Sequence, residues 1–359
     1  MELLNGGVTV KKLLKVLMIL LLVVVFVFVG LVSFLTVTEY KPKDVEPIPV
    51  TGSGSGPVPA ENLRILSWNI GYAGLGAAED FFMDGGTRTR PDSPETVNTY
   101  LDGIRQSITE TRPADLILLQ EVDSNSARSY RIDETEVLSG SCSAYALNYS
   151  SPFVPYPFPP LGKVKCGLLT TTGYEIREAE RVSLPCPFSW PMRTANLKRC
   201  LLVSRLPVQG SEKELVLVNL HLEAYDDGEG KIAQTELLMS YLEEEYRKGN
   251  YVIAGGDFNQ VFPGGLRAWP NTHSELWSPG ILEGDSLPEG FGYVYDLSVP
   301  SCRLLNQPYD PSDTENTQYY SIDGFIISPN VDLSSVETVD LGFENSDHNP
   351  IRITVNLLP

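Results

Sequence analysis

The sequence predicts an α/β fold that is preceded by one membrane-spanning helix. From residue 61 onward, short apolar runs typical of strands alternate with amphipathic patterns typical of helices, which indicates mixed α/β layers. A chain of 359 residues with 42% hydrophobic and 9% aromatic content can bury a large core, and its composition differs from that of disordered chains. Residues 16–37 are uncharged and dominated by Leu, Val, Ile and Phe.

The apolar N-terminal segment fits a retained anchor better than a cleaved signal peptide. Its 22 residues are enough to cross a bilayer as a helix. A signal peptide has an apolar region of roughly 7 to 15 residues followed by a small-residue cleavage site. Residues 36–39 (TVTE) provide no such site. We therefore predict a single transmembrane helix over 16–37.

The charges that flank this span predict its orientation. Lys11, Lys12 and Lys15 precede it, whereas Lys41 and Lys43 beyond it are interspersed with acidic residues. The positive-inside rule places the lysine-rich side in the cytoplasm. We therefore expect a single-pass cell-membrane protein with a short cytoplasmic N-terminus, residues 1–15, and an extracytoplasmic catalytic domain.

The segment 38–60 is rich in Pro, Gly and Ser and is predicted to be a linker to a catalytic domain at 61–359. Residues 1–60 hold five lysines and four acidic side chains, which leaves 22 basic and 42 acidic groups, a net charge of −20, for the domain. Such a charge repels nucleic acid and anionic lipid at long range. A local basic patch or bound metal ions can reverse this effect at a site.

The strands and helices of the domain follow from periodicity and end signals. Ser93 as N-cap and Pro94 as first residue predict a helix that ends before Pro113. A second helix is predicted over 231–248, with Gly249 as its C-terminal stop. The predicted strands are 63–68, 115–119, 214–220, 251–254, 322–327 and 351–357.

Several of these strands end on a polar residue. The first ends at Asn69, the second leads into Glu121, the third ends at His221 and the fourth leads into Asp257. A single Asn or Glu after a strand is more often a turn residue or a cap. Because carboxyl ends of neighbouring strands meet at one edge of a sheet, the four residues together predict one polar cluster.

Histidine is the most informative residue type in this pattern. The chain has only three, and two of them stand beside predicted strands: His221, and His348 within the SDHNP segment. Histidine suits proton transfer near neutral pH, and a carboxylate such as Asp323 can fix its tautomer. The oxygen donors Glu121 and Asp347, with the amides of Asn69 and Asn259, suit Mg²⁺ or Mn²⁺. These groups together are typical of phosphate-ester hydrolysis.

Six ordered motifs resemble those of the endonuclease/exonuclease/phosphatase family. This family includes deoxyribonuclease I, exonuclease III, sphingomyelinases and inositol polyphosphate 5-phosphatases, and the chain looks like a membrane-anchored member of the bacterial type. The resemblance covers about residues 63–357. The motifs are LSWNI at 66–70, LLQEV at 118–122, VNLHL at 218–222, GGDFN at 255–259, SIDGF at 321–325 and SDHNP at 346–350.

The resemblance implies a fold and a metal site. The fold is a four-layer α/β sandwich, in which two mixed β-sheets pack face to face with helices outside. The metal ion, Mg²⁺ or Mn²⁺, would be held by Glu121 with Asn69 and Asp347 nearby.

The resemblance also implies roles in catalysis. His348, oriented by Asp323, would activate water, while His221 and Asn259 would bind the oxygens of the scissile phosphate. Asp257 would position water or assist the leaving oxygen. Whether Asp257 or His348 is the general base stays open.

The substrate is less clear from the sequence. A helix capped by Ser124 or Ser126 would place Arg128 or Arg131 near a substrate phosphate, with a solvated helix face as the equal alternative. Arg199 is a weaker candidate. The aromatic and proline-rich loop 149–162 either enters lipid, stacks on a base or sugar, or packs on its own domain, which is favoured.

We expect a phosphodiesterase that acts on nucleic acid or a phospholipid headgroup, as a monomer with no evident protein partner. The chain has SID where inositol 5-phosphatases carry Cys-Asp-Arg, which disfavours that specificity. A phosphomonoesterase or an inactive adaptor is the alternative. The five cysteines form no zinc motif and are expected to be free and buried, although an outside location permits disulfides.

Overall fold

The computed structural model describes residues 3–111, 114–226, 228–284, 286–313 and 315–359. Its α-helices are α1 (Leu3–Val37), α2 (Pro94–Gln106), α3 (Glu134–Leu138), α4 (Glu229–Arg247) and α5 (Gly265–Ala268). Its strands are β1 (Val45–Pro47), β2 (Val50–Gly52), β3 (Leu63–Asn69), β4 (Leu116–Asp123), β5 (Cys142–Val154), β6 (Gly162–Thr172), β7 (Glu178–Ser183), β8 (Cys200–Pro207), β9 (Glu214–His221), β10 (Tyr251–Asp257), β11 (Gln260–Val261), β12 (Gly280–Ile281), β13 (Gly292–Val294), β14 (Cys302–Arg303), β15 (Tyr319–Tyr320), β16 (Asp323–Ile327), β17 (Val331–Thr338) and β18 (Ile351–Leu357).

Two mixed seven-stranded sheets form the centre of the described chain. One has the order β1-β7-β8-β9-β10-β16-β13 and the other β17-β18-β3-β4-β6-β5-β2. Each contains one parallel pair, β9 with β10 and β3 with β4, and all its other pairings are antiparallel. Helix α4 connects the first parallel pair and α2 the second. The two pairs therefore bring four carboxyl strand ends to the functional edge of the molecule.

The sheets pack face to face with helices on their outer sides. Apolar side chains from both sheets, such as Leu118 and Leu217, share the central core. Helix α2 covers the outer face of β3 and β4 through residues such as Leu101, and α4 covers β9 and β10 through residues such as Leu242. The four-layer sandwich expected from the family resemblance is thus confirmed.

The helix-end signals in the sequence work as expected. The Ser93 hydroxyl accepts a hydrogen bond from the Thr96 amide at 3.3 Å, and Pro94 is the first residue of α2. At the end of α4, Gly249 adopts a φ of 91° and its amide donates to the Tyr246 carbonyl at 2.8 Å. Helix α2 continues into a wider π-helical turn over Ser107–Thr111, and the predicted stop at Pro113 lies outside the described residues.

The predicted linker 38–60 is part of the folded domain. Strand β1 pairs with β7 at the edge of one sheet, and β2 pairs with β5 at the edge of the other. Val58 is fully buried in the central core. The segment therefore joins both sheets instead of acting as a flexible joint, because its short strands meet edges that would otherwise be unpaired.

Helix α1 contains the predicted membrane span. Within the described residues, Val10–Val37 is long and apolar enough to cross a membrane, which is compatible with the expected anchor. The five cysteines are unpaired; Cys186 is exposed and the other four are buried.

Candidate active site

The strand ends that the sequence singles out meet in one cleft. Asn69 ends β3, His221 ends β9 and Asp257 ends β10. The Asn69 amide nitrogen donates to Asp257 Oδ2 at 3.0 Å, and His221 Nε2 lies 3.4 Å from the same oxygen. All three side chains are buried. Asp257 thus links the parallel pairs of the two sheets.

Glu121 reaches the cleft through an irregularity in β4. The pairing of β4 with β6 shifts register between Leu119 and Val122, and Glu121 has a φ of 56°, which non-glycine residues rarely adopt. A bulge of this kind redirects side chains. Gln120 consequently points between the sheets while Glu121 lines the cleft, 3.4 Å from the Asn69 amide nitrogen.

Asp323 and His348 form the best-defined pair of the site. His348 Nδ1 lies 2.8 Å from Asp323 Oδ2, and both side chains are buried. The other ring nitrogen, Nε2, lies 3.8 Å from Asp257 Oδ2 and 3.8 Å from Asp347 Oδ2. Burial lowers the pKa of His348, but the charges of Asp323, Cys302 and Asp347 and the hydrogen bond to Asp323 together outweigh it, and the pKa rises well above its usual value.

His221 differs from His348 in its protonation. Burial, followed by the positive charges of Arg199 and His348, lowers the pKa of His221 well below its usual value. The ring is therefore neutral near pH 7 and can donate one hydrogen bond without carrying charge. Its Nδ1 is buried and has no hydrogen-bond partner among the described residues.

Asn259 is held by its own backbone turn. It has a φ of 50°, its amide N–H donates to Asp257 Oδ1 at 2.8 Å, and its side-chain nitrogen donates to the Leu222 carbonyl at 2.9 Å. Burial, with the charge of Asp323 next, raises the pKa of Asp257. The cleft therefore contains a carboxyl group that can hold a proton at higher pH than usual.

Two carboxylates offer hard oxygen donors to a metal ion in the cleft. Glu121 and Asp347 both line it, and burial together with the Glu121 charge contributes to a pKa of about 6 for Asp347. Among the described residues no Lys or Arg pairs with the Asp347 carboxylate, and Arg128 comes only within 4.0 Å of Glu121. A divalent cation would neutralise these two hard oxygen ligands.

Other ligand combinations fit a metal less well. Potential ligand atoms lie within 4.8 Å of one another in two groups, Asp257, Asp323 and His348, and Cys302, Asp347 and His348. The first set already includes the His348–Asp323 hydrogen bond, and a thiol suits softer metals than Mg²⁺. Asn69 presents Nδ2 to Glu121, while its Oδ1 accepts from the Gly71 amide. In this orientation Asn69 supports the carboxylate of Glu121, and a direct contact of Asn69 with a cation stays a prediction.

The three arginines predicted to bind phosphate have different surroundings. Arg128 lines the cleft, donates to Asp123 through two nitrogens at 3.1 and 3.0 Å, and lies 3.7 Å above the Tyr72 ring. Arg199 also lines the cleft but contacts Glu223 at 3.4 Å. Arg131 is exposed in the turn that replaces the predicted helix. A phosphate contact by any of them stays a prediction.

Sequence reasoning missed the side chains that support the site. Gln120 Nε2 donates to Asn219 Oδ1 at 2.8 Å between the sheets, and the Ser301 hydroxyl donates to Asp323 Oδ2 at 2.7 Å. On the cleft wall, the Tyr225 hydroxyl donates to Asp84 Oδ1 at 2.9 Å. Gln120 and Asn219 lie within the LLQEV and VNLHL motifs and interrupt apolar strands, which is a usable signal, whereas Asp84 and Tyr225 lie outside every motif.

The fold is similar to several solved structures. An endonuclease/exonuclease/phosphatase from Beutenbergia cavernae DSM 12333 aligns with a TM-score of 0.52 and 17% identity over 83% of this chain and 72% of that chain. A family protein from Bacteroides thetaiotaomicron aligns with a TM-score of 0.50 and 15% identity, over 82% of this chain and 98% of its own. At such identities the likeness concerns the fold alone.

A family model settles the membership that the fold indicates. No curated protein matches the chain. The model described as the Endonuclease/Exonuclease/phosphatase family matches residues 66–348, a range that extends from the LSWNI motif to His348. The chain therefore belongs to the endonuclease/exonuclease/phosphatase family.

Proposed function

We propose that this chain is a metal-dependent hydrolase of phosphodiesters that acts at the outer face of the membrane. Its family consists largely of hydrolases acting on phosphoester bonds. The observation that carries the proposal is the buried Asp323–His348 pair, in which His348 Nε2 lies 3.8 Å from both Asp257 and Asp347 in a cleft that Glu121 also lines. Such a pair can hold and move a proton beside a phosphate.

The proposed reaction consumes one water molecule. The water oxygen forms a bond to phosphorus while the bond between phosphorus and the ester oxygen breaks. The proton released by the water passes to the Asp257–His348 cluster, and a proton from the same cluster neutralises the leaving alkoxide. The products are a phosphomonoester and an alcohol.

His221 and Asn259 are proposed to orient the phosphate. His221 is neutral and buried, and its Nε2 lies beside Asp257, where the protons would move. The left-handed turn at Asn259 fixes its amide at the end of β10. Preorganised donors of this kind stabilise the negative charge of a transition state without rearrangement.

Glu121 and Asp347 are proposed to hold the metal ion, Mg²⁺ or Mn²⁺, with Asn69 supporting Glu121. A bound divalent cation would polarise a phosphate oxygen and reduce the cost of the developing charge. The strained backbone at Glu121 supports this role, because such conformations concentrate at functional sites.

An assay on a small soluble diester tests the proposed function. The full-length protein in detergent is given bis(p-nitrophenyl) phosphate with Mg²⁺, with Mn²⁺ or with EDTA. We expect turnover that EDTA abolishes, and a loss of about 100-fold or more for Glu121→Gln and His348→Ala.

His273→Ala is the matched control, since His273 lies outside the cleft and contacts Glu275 and the Glu315 carbonyl. It should retain wild-type turnover. Hydrolysis that survives EDTA, or that is the same in Glu121→Gln and His348→Ala as in the wild type, would contradict the proposed site.

A further inference from the structure

The catalytic cleft continues into an apolar groove that reaches the membrane helix. The whole cavity has a volume of about 540 Å³, which lies within the usual range of ligand pockets, about 300–1,000 Å³. Its polar floor contains Asn69, Glu121 and His348. Its upper part, here called the apolar groove, is lined by Phe28, Leu31, Val32 and Leu35 of α1 and by Val154 and Tyr156 of the β5–β6 hairpin.

Contacts fix α1 against the domain at this groove. Leu35 is buried, and the Trp190 indole N–H donates to the Thr36 hydroxyl at 3.0 Å. Just beyond the helix, Glu39 forms ion pairs with Arg193 at 3.3 Å and Lys198 at 3.4 Å. The groove is therefore a fixed part of the fold rather than a chance approach of a tethered helix.

With the catalytic domain outside the cytoplasm, as proposed, the length of α1 places the groove at the outer leaflet. About 20 residues, each rising 1.5 Å, cross a hydrocarbon layer of about 30 Å. Counted from Val16, the first residue after Lys15, such a span ends near Leu35. The groove residues of α1 lie between Phe28 and Leu35, so they stand at the depth of the outer acyl chains and headgroups.

Exposed apolar side chains lie on the groove and beside it: Tyr156 and Met192 line the cavity, Trp190 contacts Thr36 of α1, and Phe158 follows Tyr156 by two residues. Phe158 is 94% exposed, Tyr156 69%, Met192 67% and Trp190 56%. Aromatic residues with one apolar and one polar end are typical of the interface between membrane and water. These side chains would enter the outer leaflet around α1, which extends the membrane contact from the helix to the domain itself.

We propose that the substrate is a zwitterionic phosphodiester lipid of the outer leaflet, with its phosphate on the polar floor and an acyl chain in the apolar groove. This inference rests on the proposed function and names its substrate class. The groove offers nothing to a nucleic acid backbone, and the net charge of −20 on residues 61–359 repels long polyanions and anionic headgroups. A lipid can enter sideways without leaving the bilayer, because α1 forms one wall.

The test compares lipid and soluble substrates in the same full-length protein. The protein is reconstituted in phosphatidylcholine vesicles or in phosphatidylglycerol vesicles with Mg²⁺, and release of the water-soluble phosphate product is measured. Turnover of bis(p-nitrophenyl) phosphate and of plasmid DNA is measured in parallel. The groove variants are Tyr156→Asp and Met192→Glu, both at exposed positions where folding is not at risk, and the control is Leu333→Glu on the edge strand β17.

We expect phosphatidylcholine to be hydrolysed faster than phosphatidylglycerol. The ratio of lipid to aryl-diester turnover should fall by about tenfold in each groove variant, since binding energy from the acyl chain is lost, and stay at the wild-type value in Leu333→Glu. Two results would overturn the lipid inference alone: turnover of the aryl diester without any lipid hydrolysis, or faster hydrolysis of DNA than of lipid. Absence of turnover on every diester would instead overturn the proposed function, and the inference with it.

Discussion

Single buried polar residues hold the two sheets in register beneath the cleft. Asn219 accepts from Gln120 and donates to the carbonyls of Leu119 and Leu169, each at 3.1 Å. The side chain is fully buried, so each lost partner would leave an unpaired polar group away from water. This link joins β9 to β4 close to the cleft, because Asn219 lies two residues before His221 and Gln120 lies one residue before Glu121.

Removal of this link should destabilise the protein. We expect Asn219→Ala to lower the free energy of unfolding by about 2–4 kcal/mol, because the Leu119 and Leu169 carbonyls lose a donor and Gln120 loses its shortest hydrogen bond. Urea unfolding of residues 39–359, which retain the edge strands β1 and β2, measures this change in the free energy of unfolding. Asn356→Ala is the control, since its hydrogen bonds are exposed, and its effect should stay below about 1 kcal/mol. Equal effects of the two substitutions would contradict the proposed link.

The sequence identifies the side chains that meet in the cleft better than the side chains that support them. Asn69, His221 and Asp257 are recognisable because each follows an apolar strand, and carboxyl strand ends converge by geometry alone. Asn219 is visible in the sequence as a polar interruption of an apolar strand, but its pairing with Gln120 across the sandwich is a tertiary contact that no local pattern encodes. Arg128 illustrates the same limit, since its neighbour Asp123 and the Tyr72 ring were not predicted to surround it.

At the scale of elements, α4 is joined to the sheet by an ionic cluster. Glu245 accepts from both terminal nitrogens of Arg205 on β8, at 2.9 and 2.8 Å, and from Lys248 at 2.9 Å. Burial opposes ionisation of Glu245, but these hydrogen bonds outweigh it and hold its pKa at about 2, below the ordinary value of 4.5. A carboxylate whose pKa is lowered by folding stabilises the fold at pH values above its ordinary pKa. This stabilisation is lost as the pH falls toward the pKa of the folded state.

This ionic cluster should make the free energy of unfolding depend on pH in the acid range. We expect Glu245→Gln to lower the free energy of unfolding of residues 39–359 by about 3 kcal/mol at pH 7. The difference from the wild type should shrink between pH 4.5 and pH 2, as measured by urea unfolding at several pH values. Glu243→Gln, at an exposed pair with Arg247, should cost less than about 1 kcal/mol. A difference for Glu245→Gln that does not change with pH would contradict this assignment.

Elements with strong periodicity and caps are predictable, and short edge strands are not. The start of α2 and the end of α4 follow from Ser93, Pro94 and Gly249. Strands β1 and β2 have three residues each within a Pro- and Gly-rich segment, so neither alternation nor propensity marks them. They form strands because β7 and β5 offer them hydrogen-bonding partners at the sheet edges. These contacts arise from the tertiary fold and not from the local sequence.

At the scale of the whole molecule, residues 38–60 connect the anchor to both sheets. We expect residues 61–359 to have a melting temperature roughly 5 °C or more below that of residues 39–359, since the shorter piece loses both edge strands and the buried Val58. Its exposed β5 and β7 edges should also favour association. Thermal unfolding and light scattering check both effects. Equal melting temperatures would indicate that the segment is a passive linker.

The central claim is that Asp323 and His348 act as one unit in phosphodiester hydrolysis. A double-mutant cycle on turnover of bis(p-nitrophenyl) phosphate by the full-length protein with Mg²⁺ tests it most directly. Because Asp323 acts through His348, we expect Asp323→Asn and His348→Ala each to lower turnover by about 100-fold or more, and the double variant to be no slower than His348→Ala. Losses that multiply in the double variant, or turnover that is unchanged in either single variant, would contradict the claim.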